Sequence, residues 1–335
     1  VRYSGKITGV KGPIARGTIR TSFVLGLRLF VQVGTLLLVA RMLGPDQFGA
    51  FAGVAALAVI LGTLATFGTN TVLLGEVSKD PARRDEVLPY AVPFTLLCGC
   101  ALLATYLLIC TFVLDEADVS ITLLLAIGIT ETVLQPLFVL SAMEHLGRGR
   151  IARSQLLQTL PLALRLAAAA AVFVLQPADP LTDYGYGYLV ASLIALGVAT
   201  LTMPAPWPTL KTWRLPGGPE LRNAAGYAAL NITATSPTEL DKTLATKLLP
   251  LAASGLYAAA GRVIGAATLP VIAMMLSALP RLFREGQEQP HRTAHLLRWI
   301  FAAALGYSVA LAVLLWFIAP VFVWVFGAKY HGIEH

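Results

Sequence analysis

Seven side chains in this sequence have the type and setting to do chemistry, and they fall into two groups. Arg28, Gln32, Asn231, Lys242 and Arg262 are polar or cationic residues set within long apolar stretches. A guanidinium stays charged at any relevant pH and grips phosphate oxygens through a two-pronged fork. Arg28, near the middle of its stretch, is therefore the sharpest candidate for contact with an anionic group. Arg262 is a second, with interfacial anchoring as its other reading, and Lys242 a third, with pairing to Glu239 or simple exposure as the other readings. The second group is Glu131 and Arg165, each at the midpoint of its own stretch, so their depths match. They form either a structural ion pair or a proton-linked carboxylate with its counter-charge.

Other combinations carry no chemistry. His291 and His295 have the i,i+4 spacing of a zinc helix, but Arg292 stands where the glutamate base belongs. Cys98, Cys100 and Cys110 share one apolar run and read as packing residues. Asp115-Glu116-Ala117-Asp118 is a short acidic loop, because the sequence has no phosphate-binding loop to accompany it. Tyr184-Gly185-Tyr186-Gly187 lacks the Thr-Val start of an ion filter and reads as a turn opening a helix. Asn231-Ile232-Thr233 matches a glycosylation sequon but lies inside an apolar stretch. No metal site, cofactor site or catalytic constellation emerges.

The elements that hold these residues follow from composition. Of 335 residues, 56% are hydrophobic and 13% charged, about half the charged fraction of a soluble domain. Apolar runs of about 20 residues, enough to cross a bilayer, recur along the chain. We place nine spans at 18–40, 49–75, 88–114, 119–143, 155–175, 184–204, 221–246, 252–280 and 294–319. With the N-terminus in the cytoplasm, eighteen of the 25 Lys and Arg fall in cytoplasmic segments, three outside and four within spans. That asymmetry sets the orientation in an inner (cytoplasmic) membrane and explains the +7 balance without nucleic acid. The external connections are short, which leaves no outer domain for a membrane-bound polymerase or ligase. The longest connection, 205–220, is rich in Pro, Trp and Gly.

Two spans carry polar faces. Thr21, Arg28, Gln32 and Thr35 stack on one side of the first; Asn223, Tyr227, Asn231, Thr235, Thr238 and Lys242 stack on one side of the seventh. A charge at the bilayer centre costs about 2.5–3.5 kcal/mol on insertion scales, so such faces turn toward protein or water. They either line a common cavity or form hydrogen-bonded seams between helices. A shift of 206 residues relates these two spans: it lays Arg41-Met42-Leu43 on Lys247-Leu248-Leu249 and Gly49-Ala50-Phe51-Ala52 on Gly255-Leu256-Tyr257-Ala258. A parallel repeat of six spans gives that shift. The expected organisation is a basic N-terminus at 1–17, a six-span lobe at 18–204, a linker at 205–220 and a partial lobe of three spans at 221–335.

Several segments resemble the polysaccharide flippases (the Wzx-type O-antigen exporters), in the superfamily that includes the multidrug and toxin extrusion transporters. They are Leu43-Gly44-Pro45-Asp46-Gln47-Phe48-Gly49, Asp241-Lys242, Gly255-Leu256-Tyr257-Ala258-Ala259-Ala260, Leu279-Pro280-Arg281-Leu282-Phe283 and Phe326-Gly327 with Lys329-Tyr330. The resemblance implies an all-α polytopic membrane protein of about twelve to fourteen helices, two six-helix lobes around a central cavity. Nine spans then imply a chain short at its C-terminus and inactive alone. It also implies translocation of a lipid-linked oligosaccharide, a polyprenyl diphosphate sugar, between leaflets for lipopolysaccharide O-antigen or other surface polysaccharide. Membrane lipids and a polysaccharide polymerase complex would be its partners. A cation-coupled multidrug extruder of the same fold is the alternative, disfavoured because Glu131 is the only deep acid against three deep arginines.

Overall fold

The computed structural model of the chain describes residues 13–112, 119–268, 271 and 290–326. Among the described residues all regular structure is helical. The acidic loop at 115–118 and the segments 279–283 and 327–330 lie outside them. Among the described residues, six helical stretches are long and apolar enough to cross a membrane: Gly26–Ala65, Pro81–Phe112, Ile121–Gly147, Ile151–Leu175, Pro180–Thr202 and Arg298–Ile318.

The first two expected spans are one helical element, α1 (Pro13–Ala65), kinked at Gly44 with φ 73° and ψ 173°. Pro45 explains the bend, since its ring removes a backbone donor and disfavours helical geometry in the residue before it. Only glycine adopts the required positive φ without strain. The second expected span ends early: Phe67 (φ 45°) and Gly68 (φ 79°) break the chain before α2 (Thr69–Lys79). Hydropathy spreads smoothly across this break and conceals it.

Next come α3 (Arg84–Phe112) and α4 (Ile121–Gly128), followed without interruption by a π-helical turn at Ile129–Leu134 and α5 (Gln135–Gly147). Two glycines fit around that turn. Gly62 backs onto the Glu131 carbonyl and Gly99 onto the Thr132 carbonyl, each so closely that a side chain could not be added. Two long helices follow, α6 (Ile151–Leu175) and α7 (Pro180–Thr202). The Tyr184–Tyr188 motif occupies the first turns of α7, with Tyr184 and Tyr188 buried one turn apart against Phe51.

The linker is docked rather than loose. Pro93 has no N–H, so the Pro89 carbonyl lacks its helical partner; the Arg214 N–H fills that vacancy at 3.0 Å. Arg84, 4% exposed, donates to the Ala205 and Pro206 carbonyls at 2.9 and 2.7 Å. Its other side meets Glu144 at 2.8 Å. Glu144 is fully buried near the linker end of α5. Trp207 and Trp213 pack on the cluster built from Val72, Val77, Leu88 and Tyr90.

Beyond the linker lie α8 (Gly218–Leu248), α9 (Leu251–Ala267) and α10 (Pro290–Phe326). The side chains of His291 and His295, at the start of α10, lie outside the described set. Residues 45–65 of α1 meet α8 and α9 through small residues. A Cβ added to Gly49 would stand 2.7 Å from the Gly255 nitrogen and collide with the Leu251 carbonyl. One added to Gly255 would collide with the Pro45 carbonyl. Positions 45 and 251, and positions 49 and 255, each differ by 206. The contact is therefore reciprocal, as between two copies of one segment about a two-fold axis. Thr243 donates to the Gly53 carbonyl at 3.2 Å beside it, and Thr246 lies 3.2 Å from the Gly49 carbonyl.

Candidate functional site

A cavity of about 390 Å³ lies between α1, α2, the π turn, α5 and α8. Its polar lining is Thr63 from α1, Thr66 from the turn that follows, Asn70 from α2, Glu131 from the π turn, Gln135 from α5, and Asn231 and Thr235 from α8. Val59, Pro136 and Val139 supply apolar wall. Thr63, Thr66 and Asn70, spaced three and four apart, share one face, and Thr66 donates to the Asn70 side-chain Oδ1 at 3.2 Å.

Glu131 joins this cavity to the core behind it. Arg165 donates to Glu131 Oε1 at 3.1 Å, and the Tyr188 hydroxyl donates to the same oxygen at 2.5 Å. Arg165 also reaches the Ser192 hydroxyl at 3.1 Å, with its guanidinium carbon 3.7 Å from the Tyr188 ring centroid. Both side chains are nearly covered, at 7% and 11% exposure for Glu131 and Arg165. A charge at this depth is tolerable only when paired and hydrogen-bonded, and here three helices supply the partners.

The other candidates are dispersed. Of the five cavity candidates named from the sequence, Asn231 lines the cavity. Arg28, half-buried, donates through one nitrogen to Gln158 of α6 at 3.3 Å. Gln32 is exposed, and so is Arg262. Lys242 is buried and pairs with Glu239 at 2.9 Å, one turn back on α8. Its neighbour Asp241 accepts from the Tyr257 hydroxyl at 2.9 Å.

Sequence reasoning missed Asn70, Gln135, Tyr188 and Ser192. Tyr188 carried a usable signal, the i,i+4 tyrosines at the head of α7. Asn70 carried one too, at i+7 and i+4 from Thr63 and Thr66; Gln135 carried none, because the π turn beside it leaves no mark on hydropathy.

The fold is that of a multi-pass membrane protein with a polar cavity between its helices. Residues 14–286 match the family described as "Polysaccharide biosynthesis protein", and the chain belongs to it. No curated protein matches the chain in sequence. Among solved structures it is similar to an inward-facing multidrug resistance MATE family transporter of the MOP superfamily, with TM-score 0.70 at 13% identity, covering 94% of this chain and 78% of that one. An outward-facing MATE family transporter gives TM-score 0.63 at 15% identity, with 97% and 77% covered. A MOP superfamily transporter from Pyrococcus furiosus, described as having reversed polarity of its binding pocket, gives 0.62 at 14% identity, with 96% and 75% covered. These solved neighbours are themselves transporters.

Proposed function

We propose that the protein moves a lipid-linked oligosaccharide, a polyprenyl diphosphate sugar, from the inner to the outer leaflet of the cytoplasmic membrane. The observation that carries this reading is the polar cavity among membrane-spanning helices, in a chain whose family is described by polysaccharide biosynthesis and whose fold resembles that of transporters. Polar groups facing hydrocarbon without partners are costly, so a lined cavity there serves a hydrophilic cargo. The lipid tail stays in the bilayer while alternate opening of the two sides passes the head group across. The charge asymmetry puts the linker on the cytoplasmic side and the Gly49–Gly255 contact on the outer side. Reporter fusions after Gly217 and after Ala178 should then give cytoplasmic and external signals respectively. The same signal at both sites would overturn the orientation.

Arg28 is our candidate for the diphosphate. One nitrogen of its fork is engaged by Gln158, and an arriving phosphate would compete for the remainder. Arg28→Ala should abolish glycan export in a strain lacking its own flippase, with protein level in the membrane unchanged. Arg28→Lys should retain part of the activity, since a point charge lacks the fork. Normal surface glycan from the alanine variant would remove Arg28 from the substrate path. Resistance to cationic drugs, rather than restored glycan, would replace the flippase reading with the multidrug one.

A further inference from the structure

We infer that the cavity at Asn70, Glu131, Gln135 and Asn231 is a subsite for uncharged sugar, bearing hydroxyl or acetamido groups, and that it does not hold the diphosphate. The inference rests on the flippase reading and refines it. Its first support is the chemistry of the lining. Besides Glu131, the polar side chains are three threonine hydroxyls and three carboxamides. A carboxamide offers one acceptor and two donor positions in a plane, a match for adjacent sugar hydroxyls or for an acetamido group. Thr66 occupies the Asn70 oxygen and leaves its NH2 free to donate. Among the described residues, no protein group takes the side-chain amides of Gln135 and Asn231. Val59, Pro136 and Val139 provide apolar surface for the C–H faces of a ring.

The second support is charge. No lysine or arginine is among the described lining residues. The one ionisable side chain there, Glu131, is balanced by Arg165 from behind, and both of its donors converge on Oε1. The pair sums to zero, with its negative end at the cavity. A diphosphate placed here would lose its hydration, gain no cation and face a carboxylate. A neutral sugar meets none of those costs, and Glu131 can accept from its hydroxyls. The volume, about 390 Å³, lies in the range of small-molecule sites and suits part of a glycan. The cations flagged by sequence, Arg28, Lys242 and Arg262, all lie outside this lining.

The test uses the full chain in lipid nanodiscs, with saturation-transfer NMR against two sets of probes. One set is four neutral disaccharides: chitobiose, maltose, lactose and mannobiose. The other is geranyl diphosphate, a lipid diphosphate without sugar. At least one disaccharide should bind, and Gln135→Leu and Asn231→Leu should each weaken it about tenfold, leaving geranyl diphosphate unaffected. Asn231→Lys should lose the disaccharide and gain the diphosphate at the cavity, which keeps the test decisive if a leucine variant fails to fold. Absence of binding by all four disaccharides overturns the subsite, as does loss of geranyl diphosphate binding on Gln135→Leu. Failure of a version carrying a complete second lobe to restore glycan export, with disaccharide binding intact, would instead count against the flippase reading alone.

Discussion

Replacement of Glu131 by alanine is expected to destabilise the protein by about 3–5 kcal/mol, the cost of leaving one partner of a buried ion pair alone. Arg165 would keep only Tyr188 and Ser192, two neutral hydroxyls, around a charge that is 11% exposed. Thermal unfolding in detergent measures the loss. The paired change Glu131→Gln with Arg165→Met removes both charges at similar volume. It should return most of the stability, because neutral replacements of buried pairs are commonly tolerated. Export by that double variant then decides the role of the carboxylate. We expect it to persist, which makes the pair structural; a stable double variant without export would assign Glu131 to proton coupling. A single Glu131→Ala variant as stable as wild type would show that the pair carries no weight.

The second large effect is expected at the reciprocal glycine contact. A side chain at Gly255 would drive into the Pro45 carbonyl, and one at Gly49 into the Leu251 carbonyl. Backbone cannot rotate aside as a side chain can, so the helices must part. Overpacking costs about 1–3 kcal/mol in ordinary cores, and each 1.4 kcal/mol shifts a two-state balance tenfold. Gly255→Leu should therefore abolish export and hold α1 away from α8 and α9. A cysteine at Ala259, a position with no exposure, reports the separation: its labelling by a soluble thiol reagent should rise at least tenfold. Because the contact is reciprocal, Gly49→Leu should match Gly255→Leu in both readouts. Unchanged labelling and full export from either variant would show that these helices need not touch there.

Legibility in the sequence follows the physics of each feature. The bilayer demands about 20 apolar residues per crossing, so most spans were visible, and the all-helical fold with them. The seventh was visible for its polar stripe, yet only part of that stripe faces the cavity: Asn231 and Thr235 do, while Asn223 and Tyr227 are exposed. Glu131 and Arg165 stood out because a mid-span charge needs a partner, and the structure sets them 3.1 Å apart. The shift of 206 residues was visible in a glycine and a few neighbours, and its meaning lies in the contact those glycines make. Backbone irregularities were invisible. The break at Phe67–Gly68 and the π turn change direction and phase without changing hydropathy, and the π turn adjoins Gln135 at the cavity. Arg28 was legible as an isolated cation, but its partner Gln158 is 130 positions away and no local pattern announces it.

The π turn at Ile129–Leu134 also makes this helix sensitive to chain length. Such a turn holds one residue more than an α-helical path of the same rise, and each residue advances an α-helix by about 100°. Deleting a single residue there would close the turn into uninterrupted α geometry while α4 and α5 keep their present phase, because the turn is what absorbs the extra residue. The residues displaced would be those of the turn itself, and Glu131 would shift against Arg165 and Tyr188 while Gln135 and Pro136 keep the cavity wall. A change that removes no charge and no hydrogen-bonding group would thus act on the ion pair alone. In this helix the spacing between residues carries as much of the design as their identities.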